Sequence, residues 1–239
     1  MDRGSARAAR AARAREIARA HRNEPDRYVT LLVLIILSLL LLGGGQTWAK
    51  IMSVVVQGTV VVFALYTARA NRRTLRLAFA LVPIAVVLGV VGHASDVRAM
   101  EVLAAGISTL LPAIAIAALA TRLMTHPEVR FDTVVGLLAI YLLVGITFSA
   151  LYATIDVASD APFFSQTTVP TRSDFVYFSF ITMTTVGYGD FTAAEPLPRM
   201  LAATQALIGQ LYLVTVVAVA VTRVTRGRGP QEPRRPDDA

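Results

Sequence analysis

The sequence contains no cysteine. Disulfides, thiol nucleophiles and cysteine metal sites are thereby excluded. Charge is scarce as well: 16% of the residues are Asp, Glu, Lys or Arg, against roughly a quarter in a soluble domain. Acidic residues number 16 against 23 basic ones, which leaves a net charge of +7. Lysine is almost missing, Lys50 standing alone among arginines. The three histidines, His21, His93 and His126, are expected in the head and in loops. No metal-ligand or nucleophile motif accompanies them, so neither an enzyme nor a bound cofactor is expected.

What the sequence has instead is apolar length. Hydrophobic residues make up 55% of it, and the mean hydropathy is +0.58. So little charge on so apolar a chain implies that much of its surface faces lipid. A pI near 10.3 would suit a nucleic-acid binder. The placement of the charge argues against that partner. Arginines gather at Arg3–Arg27, Arg69–Arg76, Arg122–Arg130 and Arg223–Arg235, and long apolar runs separate the clusters. That is the positive-inside pattern of a membrane protein, not one basic face.

The apolar runs are read as six membrane helices: Tyr28–Leu42, Ile51–Ala68, Leu77–Gly92, Val102–Thr121, Val134–Ile155 and Met200–Thr222. A helix crossing a hydrocarbon core of about 30 Å needs ~20 residues. Pro83 and Pro112 fall inside the third and fourth runs, where membrane helices tolerate a kink. Loop charges alternate, which orients the chain with both termini cytoplasmic and predicts a multi-pass protein of the cell membrane. The expected organisation is a basic cytoplasmic segment over 1–27 and a four-helix domain over 28–125. A pore domain over 126–225 and a disordered tail over 226–239 follow. The head repeats arginine at helical spacing, which also suits anionic lipid headgroups.

Between the last two spans stands Thr182-Met-Thr-Thr-Val-Gly-Tyr-Gly-Asp190. This stretch resembles the filter signature of the potassium channel family, T-x-T-T-V-G-Y-G-D, with no departure. The resemblance covers roughly Val134–Thr222 and has the look of a bacterial-type subunit. It implies an all-α membrane protein with six helices per subunit, a re-entrant pore helix and a filter loop. It further implies a homotetramer whose four loops surround the permeant ion. By the same resemblance, Thr185, Val186, Gly187, Tyr188 and Gly189 form the filter, with K+ at the oxygens of Thr185, Val186, Gly187 and Tyr188. Thr182, Thr184 and Asp190 support it.

The residue types make physical sense. A permeating ion exchanges water for oxygens at little net cost only if successive carbonyls aim one way. Alternating right- and left-handed backbone does that, and glycine enters the left-handed region freely. Gly187 and Gly189 fall at alternate positions. Asp174–Met183 reads as the pore helix, capped by Ser173 or Asp174. Tyr177 and Phe178 stand where the family has an aromatic cuff, and Tyr177 is a candidate partner for Asp190. In the last span Gly209 occupies the family's hinge position. Gln210, Leu213, Val214, Val217 and Val221 share one face beyond it, candidates for the cavity and gate.

Six spans with this filter resemble the layout of voltage-gated potassium channels, yet Val102–Thr121 holds no arginine or lysine. The first three spans hold no carboxylate, and Gln57, Ser108 and Thr109 are expected to serve helix–helix hydrogen bonds. The reading is therefore a potassium-selective channel subunit that is not voltage-gated. A weakly selective cation channel and the pore subunit of a potassium uptake system are the alternatives.

The first prediction concerns voltage. One charge crossing the membrane potential gains about 2.3 kcal/mol per 100 mV, and steep gating takes several charges per subunit. Spans without ionisable residues lack that lever. Any voltage dependence of the bilayer conductance should change when rubidium replaces potassium. A steep activation curve indifferent to the permeant ion would place gating charge in these helices.

Overall fold

The computed structural model describes residues 24–42, 47–125 and 131–226. Seven helices span them. They are α1 (Glu24–Leu42), α2 (Thr47–Thr67), α3 (Arg72–Ser95), α4 (Arg98–Thr125), α5 (Phe131–Ala158), the short α6 (Arg172–Met183) and α7 (Pro196–Arg226). Each long helix runs beyond its apolar stretch, because polar residues cap and extend a helix that apolar residues only anchor. Lys50, Arg72, Arg73, Arg76, His93 and Arg98, expected in loops, are helical.

Three segments are long and apolar enough to cross a membrane: Arg72–Gly92, Arg98–Met124 and Thr133–Ala158. The described apolar stretches of α1 and α2 are shorter, Arg27–Leu41 and Gln57–Thr67. Pro83 and Pro112 lie inside unbroken helices. The basic head and the tail beyond Arg226 lie outside the described residues.

Short turns set the topology. At the end of α2, the Ala70 N–H donates to the Leu65 carbonyl at 3.0 Å and the Arg69 N–H to that of Tyr66 at 3.0 Å. Arg69 sits at φ +50°. This is the Schellman arrangement, in which one left-handed residue reverses the chain and satisfies two terminal carbonyls. After α3, Asp96 at φ +55° is likewise left-handed, and both its N–H and that of Val97, at 2.9 Å, reach the Gly92 carbonyl. Such short connections make neighbours antiparallel.

Side chains then fix which ends meet. The Arg27 guanidinium lies 5.1 Å from the Tyr66 ring, and that of Arg122 lies 5.8 Å from the Tyr28 ring. The start of α1 and the ends of α2 and α4 therefore gather at one pole. At the other, Arg98 donates to the Val157 carbonyl at 2.8 Å and pairs with Asp160, joining the start of α4 to the end of α5. Asp96 and Glu101 are the carboxylates nearest Arg98 in sequence. Its acceptors in the fold are Val157 and Asp160 instead. The guanidinium holds the exposed Asp160 carboxyl below its usual range by hydrogen bond and charge.

One core joins the first four helices to the fifth. It runs from Leu31 and Ile35 of α1 through Leu65 and Leu119 to Ala139 and Leu143 of α5, all fully buried. α5 is the shared wall: α1 and α4 pack on it, and so do α6 and α7. Its apolar window is 56% buried, against 17% for that of α3, whose Leu77, Phe79, Val87 and Val90 point outward. Outward-facing apolar helix surface on this scale suits lipid rather than water.

The polar residues of these helices find partners of two kinds. Thr109 meets Thr154 of α5 across the helices, hydroxyl to hydroxyl at 3.0 Å. Gln57 accepts from the Arg172 guanidinium at the start of α6. Ser108, expected to bond across helices, instead donates to its own Ala104 carbonyl at 2.9 Å. A short hydroxyl reaches the carbonyl one turn back before it reaches a neighbour.

The second prediction tests this docking. In a chain without cysteine, Thr109→Cys/Thr154→Cys should form a disulfide under mild oxidant, since both side chains already touch. The product should run as a single chain on a denaturing gel. A cross-linked dimer would mean that α4 packs on the α5 of another subunit.

Candidate functional site

The site begins at the end of α6, and its start is a backbone event. α6 opens at Arg172, with Thr171 as the N-cap. Asp174 reaches back: its carboxylate accepts the Thr171 N–H at 2.7 Å and the Thr171 hydroxyl at 2.9 Å. The helix thus begins two residues ahead of the expected start, with Thr171 as its cap, and Asp174 is the cap's reciprocal partner in the first turn rather than the cap itself.

At its other end α6 closes as α2 does. The Val186 N–H donates to the Ile181 carbonyl at 2.9 Å and the Thr185 N–H to that of Thr182 at 3.0 Å. Gly187 N–H also reaches Ile181, at 3.2 Å. Thr185 is the left-handed residue of this cap, at φ +59°. Left-handed backbone recurs at Gly187, φ +49°, and Gly189, φ +80°, while Val186 and Tyr188 between them do not adopt it. Alternation therefore starts one position ahead of the glycines. A β-branched residue pays about 1–2 kcal/mol for this conformation, the kind of local strain found at functional sites. Sequence reading missed Thr185 in this respect, because glycine is the ordinary signal for a left-handed residue.

The loop's first N–H groups are spent on the end of α6. The carbonyls of Thr185, Val186, Gly187 and Tyr188 accept no hydrogen bond among the described residues. Nothing lies within 4 Å of a Cβ built on Gly187 or Gly189. Backbone conformation, not space, asks for glycine at both positions. Thr184, the C-cap, donates its hydroxyl to the Phe180 carbonyl at 2.7 Å. Val186 and Tyr188 are 52% and 73% exposed, so the chain leaves these apolar side chains uncovered.

Tyr177 and Phe178, adjacent in sequence, part company. The Tyr177 hydroxyl donates to the Asp190 carboxylate at 2.7 Å. That bond, aided by partial burial, raises the phenol from 10.0 to about 12. The bond is thus intact through neutral pH and lost only as pH climbs through that value. Phe178 faces the other way, into a core of Tyr152, Phe163, Phe164 and Phe175 with ring centroids 5.3 to 5.9 Å from all but Phe175. It was expected beside the filter; the step of roughly 100° between adjacent helix residues carries it behind. The loop after α5 reaches the stretch of chain after the loop 185–189: Ala194 N–H donates to the Phe163 carbonyl at 2.8 Å, and Ser165 N–H to that of Thr192 at 3.0 Å.

Among the described side chains of α7 the buried ones are Pro198, Gln205, Gly209 and Val216, and Tyr212 joins them by donating to the Leu137 carbonyl at 2.6 Å. These positions recur at helical spacing, a signal present in the sequence. Gln210 and Val214 are exposed, and Leu213 is half-buried. The side chains of Val217 and Val221 lie outside the described residues. Sequence reading singled out Gln210 and passed over Gln205, which is fully buried. Gln205 accepts from the Tyr152 hydroxyl at 2.6 Å and donates to the Ser179 hydroxyl at 2.7 Å and carbonyl at 3.1 Å. Ser179 in turn donates to the Gly145 carbonyl at 2.7 Å.

Residues 137–226 match a family model described as Ion channel. That segment is similar to the ion channel family. It runs from α5 through α6 and the loop to the end of α7, so every residue just described from Gly145 onward lies within it. The match supports an ion channel, and with the three long apolar helices it supports a membrane protein. It points away from an enzyme. No curated protein and no solved structure was found to match the chain.

The third prediction follows from Gly209. A Cβ there would lie 2.4 Å from the Met183 carbonyl oxygen and 2.7 Å from its Cγ. The oxygen is backbone and has little room to yield. Gly209→Ala should destabilise the protein by about 1–3 kcal/mol, as overpacking does. Thermal unfolding in detergent reads it. A variant as stable as the parent would mean the glycine serves bending rather than close packing.

Proposed function

We propose that the chain is one subunit of a homotetrameric potassium-selective channel of the cell membrane. The observation that supports this most is the loop 185–189. Its left-handed residues alternate and its carbonyls are unspent, within a sequence that carries the whole filter signature. Four such loops around an axis would present stacked rings of oxygen. Each ring substitutes for the water that a potassium ion sheds, and repulsion between ions in successive rings moves them on. K+ is the cargo; it passes along the oxygens of Thr185, Val186, Gly187 and Tyr188. One loop cannot encircle an ion, so closed cyclic symmetry is required.

On this reading α6 is the pore helix. It runs toward the membrane centre, and the negative end of its dipole favours a cation in the cavity below. Tyr177, through Asp190, holds the outer end of the filter; Thr182 and Thr184 hold its inner end. The exposed Val186 and Tyr188 would be covered by the neighbouring subunit. α1, α2 and α7 complete six spans with α3, α4 and α5, and both termini are cytoplasmic. α7 lines the inner mouth through Gln210 and Val214. Val217 and Val221 narrow it to a hydrophobic gate that closes by dewetting. Anionic lipid would meet the arginine-rich head. Arg122 stacks on Tyr28 at the inner end of α4 and stays there, so the first four helices are a collar rather than a voltage sensor.

The fourth prediction is selectivity with assembly. In liposomes the protein should pass potassium and rubidium and strongly disfavour sodium, and chemical cross-linking in detergent should yield a tetramer. Equal sodium and potassium permeability would convert the reading to a weakly selective cation channel. An active monomer would end it.

A further inference from the structure

Outside the filter, the described residues hold one chain of side chains that is both polar and fully enclosed. Tyr152, Ser179 and Gln205 are each 0% exposed and belong to α5, α6 and α7 in turn. A glutamine in a membrane helix is costly unless every polar atom is matched. Here all are matched in one direction. The Tyr152 hydroxyl donates to the Gln205 carbonyl oxygen, the Gln205 amide donates twice to Ser179, and the Ser179 hydroxyl donates to the Gly145 backbone. Reversing the amide would set its oxygen against the Ser179 carbonyl, acceptor facing acceptor, and that bond would be lost. The chain therefore has one low-energy arrangement.

Its location gives it a purpose. Ser179 lies one turn before Met183, the last residue of α6, and Gln205 one turn before Gly209, which touches Met183. The filter's first N–H groups hang from Ile181 and Thr182, between these two contacts. Whatever sets the height and rotation of α6 against α7 thus sets the starting point of the loop. Apolar contact alone permits sliding by fractions of an ångström. A directed hydrogen-bond chain does not, and in a medium of low polarity its members reinforce one another.

We infer that Gln205 is a positioning residue for the filter. It acts through Ser179, is itself oriented by Tyr152, and makes discrimination of potassium from sodium depend on the junction of α6 and α7. This inference rests on the potassium-channel reading above. Gln205→Leu leaves the Tyr152 hydroxyl without an acceptor in an enclosed site, removes the tie between α7 and Ser179, and frees α6 to shift.

The test is the bi-ionic reversal potential of purified channels in a bilayer. Gln205→Leu should lower the potassium-to-sodium permeability ratio about tenfold, and Tyr152→Phe about threefold, as losing a buried hydrogen bond would. Because Tyr152 acts through Gln205, the double variant should match Gln205→Leu alone rather than multiply the two effects. Leu119→Ala, which opens a cavity in α4 far from the filter, should lower thermal stability and leave the ratio unchanged. If Gln205→Leu fails to assemble, Tyr152→Phe keeps the ring and decides the matter. Tetrameric, conducting variants with the parental ratio would overturn the inference. An unselective parent protein would instead overturn the channel reading on which it rests.

Discussion

Carbonyl groups buried in a membrane protein ordinarily must be paired, because no water is at hand to satisfy them. The loop 185–188 is exposed in the single chain and leaves its carbonyls open, while the N–H groups of Thr185, Val186 and Gly187 are spent. Much of the surrounding structure follows from how that is arranged. The Schellman cap at the end of α6 takes up the N–H groups of Thr185 and Val186. It also forces Thr185 left-handed, and the alternation then continues through Gly187 and Gly189. The exposed carbonyls become tolerable only if something else, a cation in the proposed function, stands where hydrogen-bond donors would.

A loop held by one helix end is only as well placed as that helix. α6 is short, 12 residues, and could not be stable alone. Close approach at two glycines seats it: a Cβ on Gly145 would meet Phe180 at 2.7 Å, and one on Gly209 would meet Met183 at 2.4 Å. Between these contacts runs the hydrogen-bond chain from Tyr152 to Gly145. The aromatic core around Phe163 and Phe178 closes the outer end. Apolar packing gives the seat its energy and the polar chain gives it direction.

Charge is sorted along the same axis. Arg27, Arg72, Arg73, Arg76 and Arg122 lie at the pole away from the loop 185–189. Asp160, Asp174 and Asp190 lie at the pole that carries it. Between the poles the helices carry hydroxyls and glutamines but few charges. In the proposed function, a carboxylate-rich loop end would attract cations. Arg98 with Asp160 and Thr109 with Thr154 tie α4 to α5, which opposes sliding of the first four helices past α5.

The sequence by itself determined the helical class, the apolar runs, the sorting of arginines and the glycines of the loop 185–189, since each depends on composition, periodicity or contiguous residues. Gly187 and Gly189 were legible because glycine marks left-handed backbone wherever it occurs. Thr185 was not, and neither were Arg69 and Asp96. A non-glycine residue takes that conformation only when the cap's hydrogen bonds compel it, and those bonds exist only in the folded chain. Likewise Gln210 and Gln205 look alike in an apolar run. Only the packing of α5, α6 and α7 decided that Gln205 is enclosed and Gln210 exposed. The parting of Tyr177 from Phe178, and the partnership of Arg98 with Asp160 rather than with its sequence neighbours, were also decided by tertiary structure. Both turn on which groups distant in sequence arrive within hydrogen-bond reach, and no local pattern encodes that distance.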